Sequence, residues 1–239
     1  MPPDKFPRIA HLPWSPGGTA DDSRVVDVDP FLGRRVVVLE KLDGSNIMFS
    51  RDEFFARSHS GAPAHPAFSR TKAAHAALRH AIDSGVAVFL EDCSAVHSIR
   101  YSFGLPSYWF VLSVRDSAYG AWWPWDAVGM MARELGLPTP PVLFDGVFRA
   151  EADLRGATES LARLPSAFGP DREGVVVSLA EGDPRASYGK DGMVFETVAK
   201  WVRPGHVQTD EHWTARQVEW QTLRDGPRRE GPKPEGDAP

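Results

Sequence analysis

Val36-Val37-Val38-Leu39-Glu40-Lys41-Leu42-Asp43-Gly44-Ser45-Asn46-Ile47 is the stretch on which the reading of this chain turns. A β-branched run carries the backbone up to Glu40 and Lys41, Asp43-Gly44 turns it, and Ile47-Met48-Phe49 starts a second apolar run. Asp-Gly between two such runs signals a hairpin. The turn predicts Lys41 at the mouth of a sheet, its stem against apolar neighbours. An amine held there sheds its proton more easily than a solvated one and becomes a nucleophile. Gly44 leaves room for the phosphates of a ligand to come close to the backbone.

Working outward, residues 36–40, 46–50 and 54–57 read as three short strands in a meander. Residues 1–30 are rich in Pro, Gly and Asp and read as an extended segment with turns. Asp21, Asp22, Asp27 and Asp29 within it are read as solvated turn residues rather than a metal cluster. Residues 68–84 carry alanines near helical spacing before Gly85, which predicts a helix with His75 and His80 as packing or exposed residues. Residues 86–92 predict a buried strand ending in two acids, and residues 108–114 an aromatic strand. Helices are expected over 126–134 and 150–164, strands over 175–179 and 193–202, and a short helix over 211–223. Residues 224–239, all Gly, Pro and charge, predict a disordered tail. Strand meanders with helices between them give α+β with mainly antiparallel sheets.

The 239 residues, 42% of them hydrophobic, suit one full-sized domain, expected over 1–223. One cysteine, Cys93, excludes an internal disulfide and favours a reducing compartment. No apolar run reaches membrane-spanning length and no secretory pattern opens the chain, so a cytoplasmic, monomeric protein with no membrane partner is expected. A net charge of −5 argues against a protein that coats nucleic acid, but allows one that grips a strand end through a local basic cleft. Most of the eight tryptophans are expected in packing.

Carboxylates and cations recur at predicted strand ends. Glu91 leaves a buried strand into a polar loop, where it suits a ribose hydroxyl or a metal, or is an ordinary surface acid. Glu173, in Glu173-Gly174-Val175, opens a strand as a second metal-holding candidate. Lys200 and Arg203 put two cations near the end of the last strand, able to grip phosphate or forming a plain cationic rim. Phe110 either stacks on a base or is core. Cys93 and His97 lack the second pair a zinc site needs.

Lys41-x-Asp43-Gly44 resembles the nucleophile motif of the covalent nucleotidyltransferases, the polynucleotide ligases and mRNA capping enzymes. The order Lys41-x-Asp43-Gly44, Arg57, Glu91, an aromatic strand, Glu173-Gly174-Val175-Val176 and Lys200 is similar to that superfamily's series from motif I through motif V. Over nearly the whole chain, residues 11–213, it resembles the RNA ligase family in its bacterial form. Segments such as His97-Ser98-Ile99-x-Tyr101, Leu105-Pro106-Ser107-Tyr108 and Val198-Ala199-Lys200-Trp201-Val202-Arg203-Pro204 carry this likeness.

The resemblance implies an ATP-grasp-like ligase domain, a nucleotidyltransferase fold of antiparallel sheets flanked by helices. It implies ATP and Mg²⁺ (or Mn²⁺) as cofactors, AMP carried covalently on Lys41, and RNA ends with a 5′-phosphate and a 3′-hydroxyl as partners. Glu40 is implied at the adenine, and Asp43 and Gly44 of the motif are implied among the residues that bind the cofactor. Asn46 and Arg57 fall by the sugar or phosphates, Glu91 by the ribose or metal, and Phe110 by the base. Glu173 falls by metal, and Lys200 with Arg203 by phosphate. The chain departs from the pattern at Leu90, where many ligases have Gly. It departs again at Val198, where many have a first lysine, so that Arg203 or Lys190 is left to compensate. Only residues 204–239 follow Arg203, too few for an oligonucleotide-binding (OB) barrel, which favours an RNA ligase with a short helical tail. A catalytically reduced module that binds nucleotide or RNA ends, and an adenylyltransferase acting on DNA ends, are the alternatives.

Overall fold

The computed structural model describes residues 5–17, 22–25, 27–56, 65–117, 119–181, 185–189, 192–205 and 217–224. In chain order the elements are β1 (Arg8–His11), β2 (Arg35–Lys41), β3 (Ser45–Phe49), β4 (Phe54–Ala56), α1 (Ser69–Leu78), β5 (Val86–Asp92) and β6 (Trp109–Asp116). Then come α2 (Trp125–Glu134), β7 (Val142–Val147), α3 (Glu151–Arg163), β8 (Gly174–Leu179), β9 (Ala186–Gly189) and β10 (Gly192–Val202). They form a mixed α+β fold with two open sheets. One has six strands in the order β1-β10-β8-β2-β7, with β9 paired to β10; the other has four, ordered β4-β3-β5-β6. β1 runs parallel to β10, and the other described pairings are antiparallel.

The β-branched run explains the position of β2. It lies between β8 and β7, and Val36, Val37 and Val38 are each 0% exposed. A strand buried on both faces reads as a continuous apolar run, and each valine so buried contributes about 1.5–3 kcal/mol. Val36 and Val38 pack with Val175, Val177, Ala199 and Trp201 under Leu154 and Ala162 of α3. The opposite face of this sheet meets the second sheet, where Met48 and Phe89 pack against Val176, Phe195 and Val198. The outer face of the second sheet is closed by Val128, Met131 and Ala132 of α2 and by Phe68 and Ile82. The layers therefore run α3, six-stranded sheet, four-stranded sheet, then α1 and α2.

α3 follows from its sequence. Leu154, Thr158 and Ala162 fall on one buried face, acids open the helix, and Arg163 closes it before Pro165. The predicted strands and the two later helices appear within a residue or two of their expected bounds. The expected helix over 68–84 is shorter: α1 ends at Leu78 and a single 3-10 turn follows.

Three expectations are corrected. The meander from residue 36 does not form, because β2 and β3 do not pair: β2 bonds β7 and β8, whereas β3 bonds β4 and β5. Leu42, Asp43 and Gly44 carry the chain from one sheet to the other, so Asp-Gly makes a crossover here, not a hairpin. The helix expected over 211–223 is absent from its described part, while residues 211–216 lie outside the described residues. Residues 217–224 are instead an extended strap. Trp220 bridges Ala95, Leu223 bridges Leu105, and the Gln221 N–H donates to the Ser94 carbonyl at 2.9 Å. Backbone pairing with 94–105 satisfies this segment where a helix would bury little apolar surface. β1, β7 and β9 were not expected. β7 is a half-exposed edge strand interrupted by Asp145-Gly146, which reads locally as a turn.

Two glycines let neighbouring backbones approach closely within their sheets, Gly174 of β8 against β10 and Gly44, just before β3, against β5. A Cβ on Gly174 would lie 2.0 Å from the Trp201 carbonyl oxygen, and one on Gly44 would lie 2.6 Å from that of Asp92. The obstacle is backbone in both cases, so Gly174→Ala and Gly44→Ala should each destabilise by about 1–3 kcal/mol or more. Gly156, inside α3 with nothing within 4 Å, is the control: Gly156→Ala should stabilise by about 0.5–1 kcal/mol. Urea unfolding of the three variants checks both signs.

Candidate active site

Register delivers Lys41 to its partner. Lys41 pairs across the sheet with Gly174, which brings the preceding Glu173 against it. Lys41 Nζ lies 2.7 Å from Glu173 Oε1, with the lysine side chain 25% exposed and the glutamate 7%. Glu91 arrives from the second sheet, opposite Asn46 on one side and Phe110 on the other. The site thus spans the lip between the two sheets.

The electrostatics reverse one expectation. Burial alone lowers the pKa of Lys41, but Glu173, Glu91 and Asp43 together outweigh it, and the pKa is raised. Lys41 is held as an ammonium ion, not poised as a neutral amine. Burial also pushes Glu91 up to about 8; Lys41 opposes the shift, while Glu173 and Asp43 add to it. Three carboxylates crowd one ammonium group.

Asp43 anchors the loop beside the site. Its Oδ2 accepts from the Ser98 N–H at 2.8 Å, the Ser98 hydroxyl at 3.0 Å and the Ile99 N–H at 2.6 Å. Its own N–H donates to the Tyr101 hydroxyl at 2.7 Å. Gln221 holds the same loop from the far side, donating to the Ile99 carbonyl at 2.7 Å and accepting from the Tyr101 N–H at 2.9 Å. Gly44 turns out to make space for the β5 backbone at Asp92.

Glu40 points to the α3 side of its sheet, the opposite face from Lys41, as strand alternation requires. Its carboxylate accepts from the Ser166 hydroxyl, from the Ala167 N–H at 3.0 Å and from Arg172 at 3.3 Å. Phe110 is 0% exposed and lies against Phe168, ring centroids 5.5 Å apart, in a cluster with Leu42 and Tyr101. In this structure both Phe110 faces are core, and Trp109 packs with the outer cluster.

Lys200 pairs with Val176 and with His11, on the sheet face that carries Lys41. Arg203 binds Asp171 through Nη1 at 3.2 Å, and its N–H donates to the Glu173 carbonyl. Arg57 and Lys190 lie outside the described residues. Sequence reasoning missed His11, Arg172, Ser166 and Gln221. His11 is buried, bonds Ser15 at 2.8 Å, and is pushed down to about 4 by burial and by Lys200, so it stays neutral. Only the alternation Glu40/Lys41, which sends one acid to the far face, hinted that Arg172 would be needed as its counter-ion.

The site fits a divalent cation in one mode. Among the described residues no group of three His, Cys, Asp or Glu side chains is arranged to hold a metal. Mg²⁺, however, commonly takes one or two carboxylates and leaves its other positions to water and substrate phosphates. Glu91 and Glu173 meet that need. The surplus of carboxylate over ammonium, and the buried Asn46 amide nitrogen with no hydrogen-bond partner among the described residues, mark a place short of ligand.

Comparison with known proteins bears on the fold and the family. No curated protein matches the chain. Solved structures share its fold: a point mutant of Naegleria gruberi RNA ligase with ATP and Mn aligns with a TM-score of 0.52 at 15% identity, covering 84% of this chain and 60% of that one. An archaeal ATP-dependent RNA ligase aligns with a TM-score of 0.52 at 16% identity, covering 81% of this chain and 48% of that one. The chain thus spans roughly half to three fifths of the length of these solved relatives. The family model for RNA ligase matches residues 34–202, and the chain belongs to the RNA ligase family.

Proposed function

We propose that this chain is an ATP-dependent RNA ligase that works through a lysyl-AMP intermediate. The observation that carries the reading is Lys41 Nζ at 2.7 Å from Glu173, with Glu91 and Asp43 close enough to shift its proton affinity. In the first step the Lys41 ammonium loses a proton, its nitrogen lone pair attacks the α-phosphorus of ATP, and the bond to the β-phosphate oxygen breaks to release pyrophosphate. AMP then passes from Lys41 to the 5′-phosphate of an RNA end. Attack by a 3′-hydroxyl on that phosphate expels AMP and seals the strand. Glu91 and Glu173 would hold Mg²⁺, which would supply charge neutralisation at the phosphates.

The chain's own residues do the remaining work. Asp43 and Gln221 fix the loop that flanks the site. Lys200 lies on the same sheet face as Lys41 and takes the phosphate role of motif V. Asn46, opposite Glu91, offers its amide to ATP. Arg57 by the sugar and Phe110 by the base belong to the same proposal, whereas Glu40, its carboxylate held by Ser166, Ala167 and Arg172 on the opposite sheet face, is left out of it. No helix among the described residues is long and apolar enough to cross a membrane, and a cytoplasmic role in RNA repair is part of the proposal.

Incubation with α-labelled ATP and Mg²⁺, followed by a denaturing gel, tests the first step. Wild type should take up label and Lys41→Ala none; an unlabelled wild type favours a binding module that retains the fold without the chemistry. Ligation of matched RNA and DNA ends tests the substrate.

The pH profile of labelling tests the electrostatics. Removing a carboxylate that raises the lysine pKa must lower it. Glu173→Gln should therefore move the alkaline rise in labelling to lower pH by about 1–3 units, even as the maximal rate falls. Glu91 carries a stability signature of its own. Its folded pKa of about 8 exceeds its ordinary value of 4.5, so the stability linked to it is complete below pH 4.5 and lost as pH rises through about 8. Glu91→Gln should raise the melting temperature at pH 8–9 by about 2–4 °C for each kcal/mol recovered, with little effect at pH 4, as calorimetry will show.

A further inference from the structure

On the α3 side of the six-stranded sheet lies a cavity of about 430 Å³ that includes none of Lys41, Glu91, Glu173 or Lys200. Among the described residues every polar side chain on its wall is a donor: Arg163, Arg172, Arg203 and Trp201. Among them no acid, amide or hydroxyl side chain lines it, and the rest of the wall is proline and aliphatic, including Leu164. Trp201 and Arg172 are each 6% exposed, and the Trp201 Nε1–H and Arg172 Nε–H have no hydrogen-bond partner among the described residues. Buried N–H groups are rarely left without an acceptor. Both residues line this wall, whose polar side chains among the described residues are all donors, so it favours a ligand that only accepts.

The arginines are able to take one. Arg203 and Arg163 are tied to Asp171 at 3.2 Å and Glu159 at 3.7 Å, both pairs with exposed members. Such surface pairs hold weakly in water, whereas an arginine fork on phosphate is charge-assisted and frequently bidentate. Arg172, fixed by Glu40 and by the Leu161 carbonyl at 2.6 Å, is preset with its Nε–H left over. The cavity exceeds a bare phosphate and admits a nucleotide's sugar against the proline and leucine wall.

We infer that this cavity holds a phosphate group of the RNA strand, so that Arg203 serves RNA rather than ATP. The phosphate class rests on the wall itself; the assignment to RNA rests on the ligase reading. The test is nitrogen-15 NMR of the indole N–H groups, with the Trp201 resonance identified by its loss in Trp201→Phe. Inorganic phosphate, a 5′-phosphorylated oligoribonucleotide and its 5′-hydroxyl counterpart are titrated separately. A saturable shift of the Trp201 resonance with either oligonucleotide supports the inference. A stronger effect of the 5′-phosphorylated strand assigns the terminal phosphate, and equal effects assign a backbone phosphodiester. A shift with inorganic phosphate alone overturns the RNA assignment, and no shift with any of the three overturns the site.

Arg163→Gln, at an exposed position, removes one donor without threatening the fold. It should weaken oligonucleotide binding about 5–10-fold while leaving lysyl-AMP formation unchanged. Unchanged affinity overturns the site whether or not Trp201→Phe folds. Absence of label on wild-type Lys41 would defeat the ligase reading and still leave the NMR result readable.

Discussion

Three residues decide where the chemistry sits. The chain leaves the six-stranded sheet at Lys41 and enters the four-stranded sheet at Ser45, with Leu42, Asp43 and Gly44 between them. So short a crossover forces the two sheets together at this point. Gly44 is pressed on the carbonyl of Asp92, where a single added carbon has no room. Leu42 drops into the cluster with Phe110 and Tyr101, and Asp43 ties the crossover to the 98–101 loop through three accepted hydrogen bonds. Lys41 is the last residue before the gap, so it lies at the lip between the sheets by the geometry of the chain alone.

That placement sets the electrostatics. At an effective dielectric of about 20, unit charges 4 Å apart interact by about 4 kcal/mol. One such attraction, Lys41 with Glu173, is set against repulsion among Glu173, Glu91 and Asp43. With burial the largest cause at Glu91 and the neighbouring acids adding to it, the result is an ammonium held firmly and a carboxyl at Glu91 ionised with difficulty. Both shifts are relieved by the same event, the arrival of positive charge at the carboxylates. A cation there would release Glu91 to ionise and loosen the hold on the Lys41 proton. In the proposed reaction the lysine would then stay an ammonium until a cation arrives with ATP, which would give such a site a physical reason to tolerate an acid surplus.

Much of this was legible because local signals agreed with the fold. The valine run, the helical spacing of Leu154, Ala157 and Leu161, and the acids at strand ends gave most elements and brought Lys41, Glu91 and Glu173 into one proposal. Other features escaped for identifiable reasons. Asp-Gly is the same dipeptide whether the second run returns beside the first or departs to another sheet; only the long-range pairing of β2 with β7 and β8 separates the two. The sign of the Lys41 shift depends on how many carboxylates converge, and sequence cannot count neighbours across sheets. Gln221 was invisible because its partners, Ile99 and Tyr101, lie over a hundred residues away and it bonds mainly to their backbone.

The surface charge supplies the remaining step. A chain of net charge −5 whose cleft holds an acid surplus repels a polyanion at long range. The attraction to RNA that the proposed function requires would then be local and short in reach. Cations able to supply it occupy both faces of one sheet: Lys41 and Lys200 toward the second sheet, Arg172 and Arg203 toward α3. Strand alternation separates the two sets, because Ala199 and Trp201 flank Lys200 on the opposite face and Arg172 follows Glu40 there rather than Lys41. A strand end reaching the lysines from the α3 side would cross the rim formed by Pro204 and Arg203. Contacts so few and so placed favour recognition of a particular end over binding along a strand, and the salt dependence of such binding would be shallow, since few phosphates are neutralised.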